Sequence, residues 1–114
     1  MAFYHLAILK REEGDADSTI ENYLRALRIC PDHADSNNNL GRAFLERGQN
    51  ARAVKLFERA IECQPEFTDA YANLGIAYKD LGLIDEAKQN LEKALVLNPV
   101  HVEALKVHNE LFVS

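Results

Sequence analysis

The chain has 114 residues, 47% of them hydrophobic and 27% charged, a composition that fits one ordinary globular domain and leaves out the disordered class. A chain of this length buries a smaller share of its surface than a large protein, so an open recognition face is expected before an enclosed catalytic cavity. The formal net charge of −5, from 13 basic against 18 acidic residues, leaves no basic stripe for nucleic acid or anionic lipid, and no apolar run approaches the roughly 20 residues that span a bilayer.

At the N-terminus there is no charged leader, apolar core or small-residue cleavage site, so the chain is expected to be soluble and cytoplasmic. The first helix starts almost at Met1, carries Phe3, Leu6 and Ala7, and leaves no residue for an N-cap. Either that helix frays or the chain is a piece of a longer superhelix. It stops at GDADST, which looks like a calcium loop only superficially, because the third carboxylate, central glycine and closing glutamate are missing from the required offsets. The stretch is read instead as a turn with an N-cap at Asp17 or Ser18, opening a second helix that runs through Tyr23 and Ala26 to Pro31. NNNLGRAFLERGQN and ARAVKLFERAIEC supply the next helix pair, and YANLGIAYKDLG and DEAKQNLEKALVL the third. In that third pair Leu74, Ala77, Tyr78 and Leu81 fall at i, i+3, i+4 and i+7 on one face, and Ala87, Leu91, Ala94 and Leu95 line the partner. The last helix places His108 and Asn109 where an apolar pair would otherwise fall, as a solvating cap does.

One interval organises these elements. Pro31, Pro65 and Pro99 stand 34 residues apart, as do Gly14, Gly48 and Gly82, and Ala26, Ala60 and Ala94, while Gly41 and Gly75 take the same step. Small residues at Gly41, Gly75, Ala53, Ala60, Ala87 and Ala94 allow paired helices to approach, and Phe44, Phe57, Tyr71, Tyr78 and Leu91 fill the space between them. This period and these residues resemble the tetratricopeptide repeat family. Leu40, Gly41, Phe44, Ala53, Phe57, Ala60 and Pro65 carry the resemblance in the second unit, and Tyr71, Leu74, Gly75, Tyr78, Ala87, Leu91, Ala94 and Pro99 in the third. The first unit keeps Phe3, Leu6, Ala7, Tyr23, Ala26 and Pro31 but has Lys10 and Thr19 where an aromatic and an alanine are usual. The resemblance covers nearly the whole chain and implies an all-α fold, a right-handed superhelical solenoid. Its three antiparallel helix-turn-helix units would span residues 1–33, 34–67 and 68–101, with a capping helix over 102–114.

Chemistry is sparse. His33 and His101 occupy the same turn two units apart, too far to share a metal, and His101 and His108 lack the i, i+4 pairing of zinc helices, so all four histidines are read as solvated. Cys30 and Cys63 sit nearly one repeat apart, at a helix spacing of about 8–10 Å that exceeds the roughly 7 Å a disulfide tolerates. They are read as free thiols, Cys63 buried and Cys30 more exposed. No cofactor, metal or catalytic residue is expected.

Stacked hairpins present a concave face lined by their first helices, and this face is where the family implies an extended peptide or partner protein binds. Subtracting the inward positions Leu40, Ala43 and Phe44 leaves Asp35, Asn39 and Arg42, along with Asn38 and Glu46, on the groove side of the second unit. The third unit offers Asp69, Asn73, Ile76 and Lys79, and the first Tyr4, His5, Ile8 and Arg11. Asn39 and Asn73 stand in register and are expected to form a ladder of amides along the groove, each amide offering a donor and an acceptor to a peptide backbone. The run DAYANLG resembles the superhelical repeats of the O-linked N-acetylglucosaminyltransferases, whose groove asparagines hold substrate backbones; no transferase residues accompany it. Asn37 and Asn38, lacking counterparts in the third unit, are given little weight. A chaperone-binding branch of the family clamps a C-terminal carboxylate with lysine, asparagine and arginine. The matching positions here are Tyr4, Ile8, Asn39, Asp69 and Asn73, of which only Asn39 agrees, so a chaperone-tail receptor is not expected. The alternatives are self-assembly into a homo-oligomer through exposed end faces near Leu6, Leu9 and Ile20, or a segment that positions substrates for an attached enzyme.

Overall fold

Apolar stripes interrupted every 17 residues by a glycine or a proline make helices too short to stand alone, and such helices must pair to hide their apolar faces. A computed structural model, which describes residues 1–113, contains seven helices: α1 (Ala2–Glu12), α2 (Ala16–Ile29), α3 (Ala34–Glu46), α4 (Asn50–Cys63), α5 (Thr68–Asp80), α6 (Ile84–Leu97) and α7 (Val102–Val113). Ser114, included in the expected cap, lies outside the described residues. α1 pairs with α2, α3 with α4 and α5 with α6; each hairpin leans on the next, and α7 rests on α6 and α5. The result is an all-α solenoid of 41 × 25 × 22 Å. Among the described residues no helix is long and apolar enough to cross a membrane.

The hairpin turns follow from backbone chemistry. Gly48 closes the α3–α4 turn at φ +76°, in the left-handed region that L side chains avoid, and Gly14 and Gly82 do the same in the neighbouring hairpins. The N-cap of α2 is Asp15, two or three residues earlier than expected, because Asp17 and Ser18 already belong to the first turn. The Asp15 carboxylate accepts from the Ser18 backbone N–H at 3.1 Å, and this hydrogen bond holds its pKa below the ordinary value. α1 has no side-chain cap. His33 and His101 do more than meet solvent. The Nδ1 of His33 accepts from the Ser36 backbone N–H at 3.2 Å, and that of His101 from the Ala104 N–H at 3.1 Å, so both cap a helix start. The His101 Nε2 lies 2.7 Å from the Asp69 carboxylate, tying α5 to the start of α7.

Three clusters form the core, each drawing on successive layers of the stack. Ala7 and Tyr23 meet Leu40; Ala53 and Phe57 meet Leu74 and Ala77; Ala72, Leu91 and Ala94 meet Ala104 and Val107. Outside the core, Arg47 pairs with Asp17 and Arg59 with Asp32, exposed links between the first two hairpins that water screens. Cys30 and Cys63 are both free and both half-buried, so the expected contrast in exposure is absent; burial raises the Cys63 thiol pKa.

Close approach is visible at Gly41 and Gly75. A β-carbon at Gly75 would stand 2.6 Å from the Leu91 Cγ and 3.2 Å from the Ala87 carbonyl oxygen. Leu91 is fully buried and cannot swing aside. Gly75→Ala is therefore expected to be destabilising by about 1–2 kcal/mol, an overpacking cost of about 1–3 kcal/mol outweighing the roughly 1 kcal/mol gain in helix propensity. Urea denaturation monitored by circular dichroism measures this, and a midpoint at or above that of the parent chain would show that the hairpin has slack.

Candidate functional site

The first helices α1, α3 and α5 follow one another along the stack, and Tyr4 of α1 meets His33, the N-cap residue of α3. Its ring makes an edge contact with His33, centroids 4.8 Å apart, and a tilted one with Tyr23 at 6.2 Å. Burial raises the pKa of both tyrosines, with the Asp35 carboxylate pushing Tyr4 further up and Asn39 holding each down. Asn39 is half-buried beside these hydroxyls. Around this aromatic floor Ile8 is half-buried, while His5, Arg11, Asp35 and Arg42 are exposed. Tyr4, Asp35 and Asn39 thus lie together at the junction of α1 and α3, with Arg42 beside Asn39 and His5 in edge contact with the Tyr4 ring, centroids 5.3 Å apart, while Ile8 is half-buried on α1.

The expected residues of α5 are placed differently. Asn73 is 3% exposed, and its Nδ2 donates to the Asn38 Oδ1 at 3.0 Å in a buried bond between α5 and α3. The ladder of groove amides therefore does not form at Asn73: the side chain lies between two helices, where it fixes their stacking. Asn38, given little weight from sequence, is its partner. Asn37 is equally engaged, donating to the Pro31 and His33 carbonyls at 3.1 Å. Ile76 is half-buried and packs on the cluster that includes Ala104 and Val107 of α7, and the Lys79 Nζ lies 3.6 Å from the Glu110 carboxylate of the same helix. Asp69 is exposed but holds His101. α7 thus packs on α5 and engages Ile76, Lys79 and, through His101, Asp69.

Beside Asn39 the surface opens into a hollow of about 590 Å³, enclosed by the end of α1, the turn at Gly14, the start of α2 and the outer side of α3. Ala43, expected to face the core, is half-buried and lines this hollow, as do Thr19 and Arg47. Sequence reasoning missed these because they lie where two hairpins diverge, a place that no single-helix periodicity marks. Among the described residues no group of three or more histidine, cysteine, aspartate or glutamate side chains is placed to hold a metal ion.

Two family models match the chain, both described as the tetratricopeptide repeat, one over residues 1–66 and one over residues 68–101. Solved structures superpose closely. The first TPR of Spaghetti (RPAP3), bound to the HSP90 peptide SRMEEVD, aligns at 22% identity and TM-score 0.94 over 97% of this chain and 88% of its own. The second TPR domain of human RPAP3, in complex with the HSP70 peptide SGPTIEEVD, aligns at 26% identity and TM-score 0.92 over 98% and 93%. The Arabidopsis OM64 TPR domain aligns at 22% identity and TM-score 0.94 over 97% and 92%. No curated protein matches the sequence.

Proposed function

The chain belongs to the tetratricopeptide repeat family, and from that premise we propose that it is a non-catalytic scaffold holding an extended peptide or partner-protein segment across α1 and α3. The observation that carries this reading is the division of the concave face. On α5 Asn73, Ile76 and Lys79 are engaged with α3 or α7, whereas on α1 and α3 Tyr4, Ile8 and Asn39 are half-buried and Arg42 is exposed. Peptide-bound relatives of the same fold support it in kind. The peptides in those structures end in a carboxylate, but Tyr4, Ile8 and the acidic Asp69 stand at the positions of a carboxylate clamp, so the segment proposed here is read along its length and not by its C-terminus. Partners are protein or peptide, without nucleic acid, membrane or cofactor, and the site of action is the cytoplasm.

Affinity capture from lysate, read by mass spectrometry, tests this with the parent chain, an Asn39→Ala, Arg42→Ala double variant and a Glu58→Ala variant altered on the exposed side of α4. All three should first show equal helicity by circular dichroism. A partner lost only with the double variant is the expected result; a partner kept by it and lost with Glu58→Ala would move recognition to the second helices. Leu6 and Leu9, 38% and 49% exposed, are the observation behind a second reading, self-association along that edge, which light scattering over a concentration series tests. Ile20, grouped with them from sequence, packs against the first core cluster.

A further inference from the structure

The hollow between the first two hairpins has a charge that runs against the rest of the chain. Three arginines line it, Arg11 from α1 and Arg42 and Arg47 from α3 and its C-cap, against one acid, Glu46. The formal charge of the whole chain is −5. Arg47 is already paired with Asp17 of α2. Arg11 and Arg42 have no carboxylate within 4.0 Å among the described residues, although Glu46 lies one turn from Arg42. The two residues come from different helices and line the same space, whose volume of about 590 Å³ falls within the roughly 300–1,000 Å³ of ligand sites. Asn39 belongs both to this lining and to the Tyr4 and Tyr23 surroundings, so the hollow is continuous with the groove.

We infer that this hollow is a subsite for a carboxylate side chain, glutamate or aspartate, within the peptide segment that the groove holds. The inference rests on the scaffold reading above and adds the chemical class of residue that the segment must carry. A guanidinium binds a carboxylate through two parallel N–H donors, a geometry a lysine cannot supply, and two unpaired guanidinium groups give an internal acid a place to sit without a free chain end. Ala43 and the Ile20 side chain form an apolar wall beside the arginines, which suits the methylene stem of a glutamate. Arg47, already bound to Asp17, orders the rim and is not offered as a donor.

The test uses the full chain and an immobilised library of acetylated, amidated dodecapeptides. Their flanking positions are randomised over non-acidic residues, and the central position is glutamate, glutamine, lysine or phosphoserine. Blocked ends remove any contribution from a terminal carboxylate. The expected result is retention of glutamate peptides about tenfold over glutamine peptides, the size of one charge-assisted contact. That preference should be lost in Arg42→Gln and, separately, in Arg11→Gln, both of which change exposed side chains and should keep parental helicity. Retention without a glutamate preference, or a preference that survives both variants, overturns the subsite and leaves the scaffold reading standing. Preference for phosphoserine alone overturns the carboxylate assignment in favour of a phosphorylated residue. If no peptide of any class is retained, the subsite and the groove reading fall together.

Discussion

Phe57→Ala is expected to lower stability by about 3–5 kcal/mol, enough to leave much of the chain unfolded at ordinary temperature if its total lies near the low end of the usual 5–15 kcal/mol. The ring is 0% exposed and does two jobs at once. Within its hairpin it fills the space that Gly41 leaves open: a β-carbon on Gly41 would fall 2.6 Å from the Phe57 Cε1. Toward the next hairpin it packs with Leu74 and Ala77, so its removal opens a void at the junction of two layers. The void cannot be closed by a small shift, because α3 and α4 are already at the spacing the glycine permits. A second consequence separates this account from a general loss of apolar area. In the Phe57→Ala background the steric cost of Gly41→Ala disappears, so that substitution should recover part of the loss through the roughly 1 kcal/mol by which alanine exceeds glycine in a helix. Urea denaturation of the four chains measures the coupling, and strictly additive effects would show that the glycine and the ring do not meet.

Asn73→Ala is expected to be destabilising by about 1–3 kcal/mol without touching the binding surface proposed above. The substitution removes a buried donor and leaves the Asn38 Oδ1 facing a closed interior with no partner. Asn38→Ala removes the acceptor and strands the Asn73 amide in the same way, so the double variant should lose less than the sum of the two. Asn39 is one residue from Asn38 yet points to the tyrosines of the groove, and Asn39→Ala should leave the urea midpoint nearly unchanged while weakening peptide retention. Near-additive stability losses at Asn38 and Asn73, together with peptide binding lost in Asn73→Ala at full helicity, would return Asn73 to the recognition surface.

These two cases also show how far the amino-acid order could be read. Phe57, Gly41 and Leu91 were legible because each takes its place at a fixed step of 34 residues, and a helix face repeats with the step. The Asn38–Asn73 bond was not legible, because its partners are 35 residues apart. Comparing equal positions pairs Asn39 with Asn73, and only the angle between α3 and α5 reveals that the neighbouring asparagine makes the contact. The helix-capping roles of His33 and His101 were hidden for a related reason. Their shared turn position was plain, yet the same position in the remaining turn holds Phe67, which caps nothing with its side chain, so the series had no common chemistry to detect. Arg11 and Arg42 could be assigned to the groove one helix at a time. That they meet over a hollow depends on how two hairpins splay, and no property of a single helix records it.

In this fold each helix leans only on those next to it in the stack, and such a chain melts like a row of dominoes held by nearest-neighbour forces. α1, which packs chiefly against α2 alone, is the piece most easily let go. A segment that bridges α1 and α3 would act as a clasp on that loose member, and its affinity would appear as added heat tolerance of the first hairpin. Occupancy would then decide how many layers unfold together, so that the partner tunes the cooperativity of the protein that holds it.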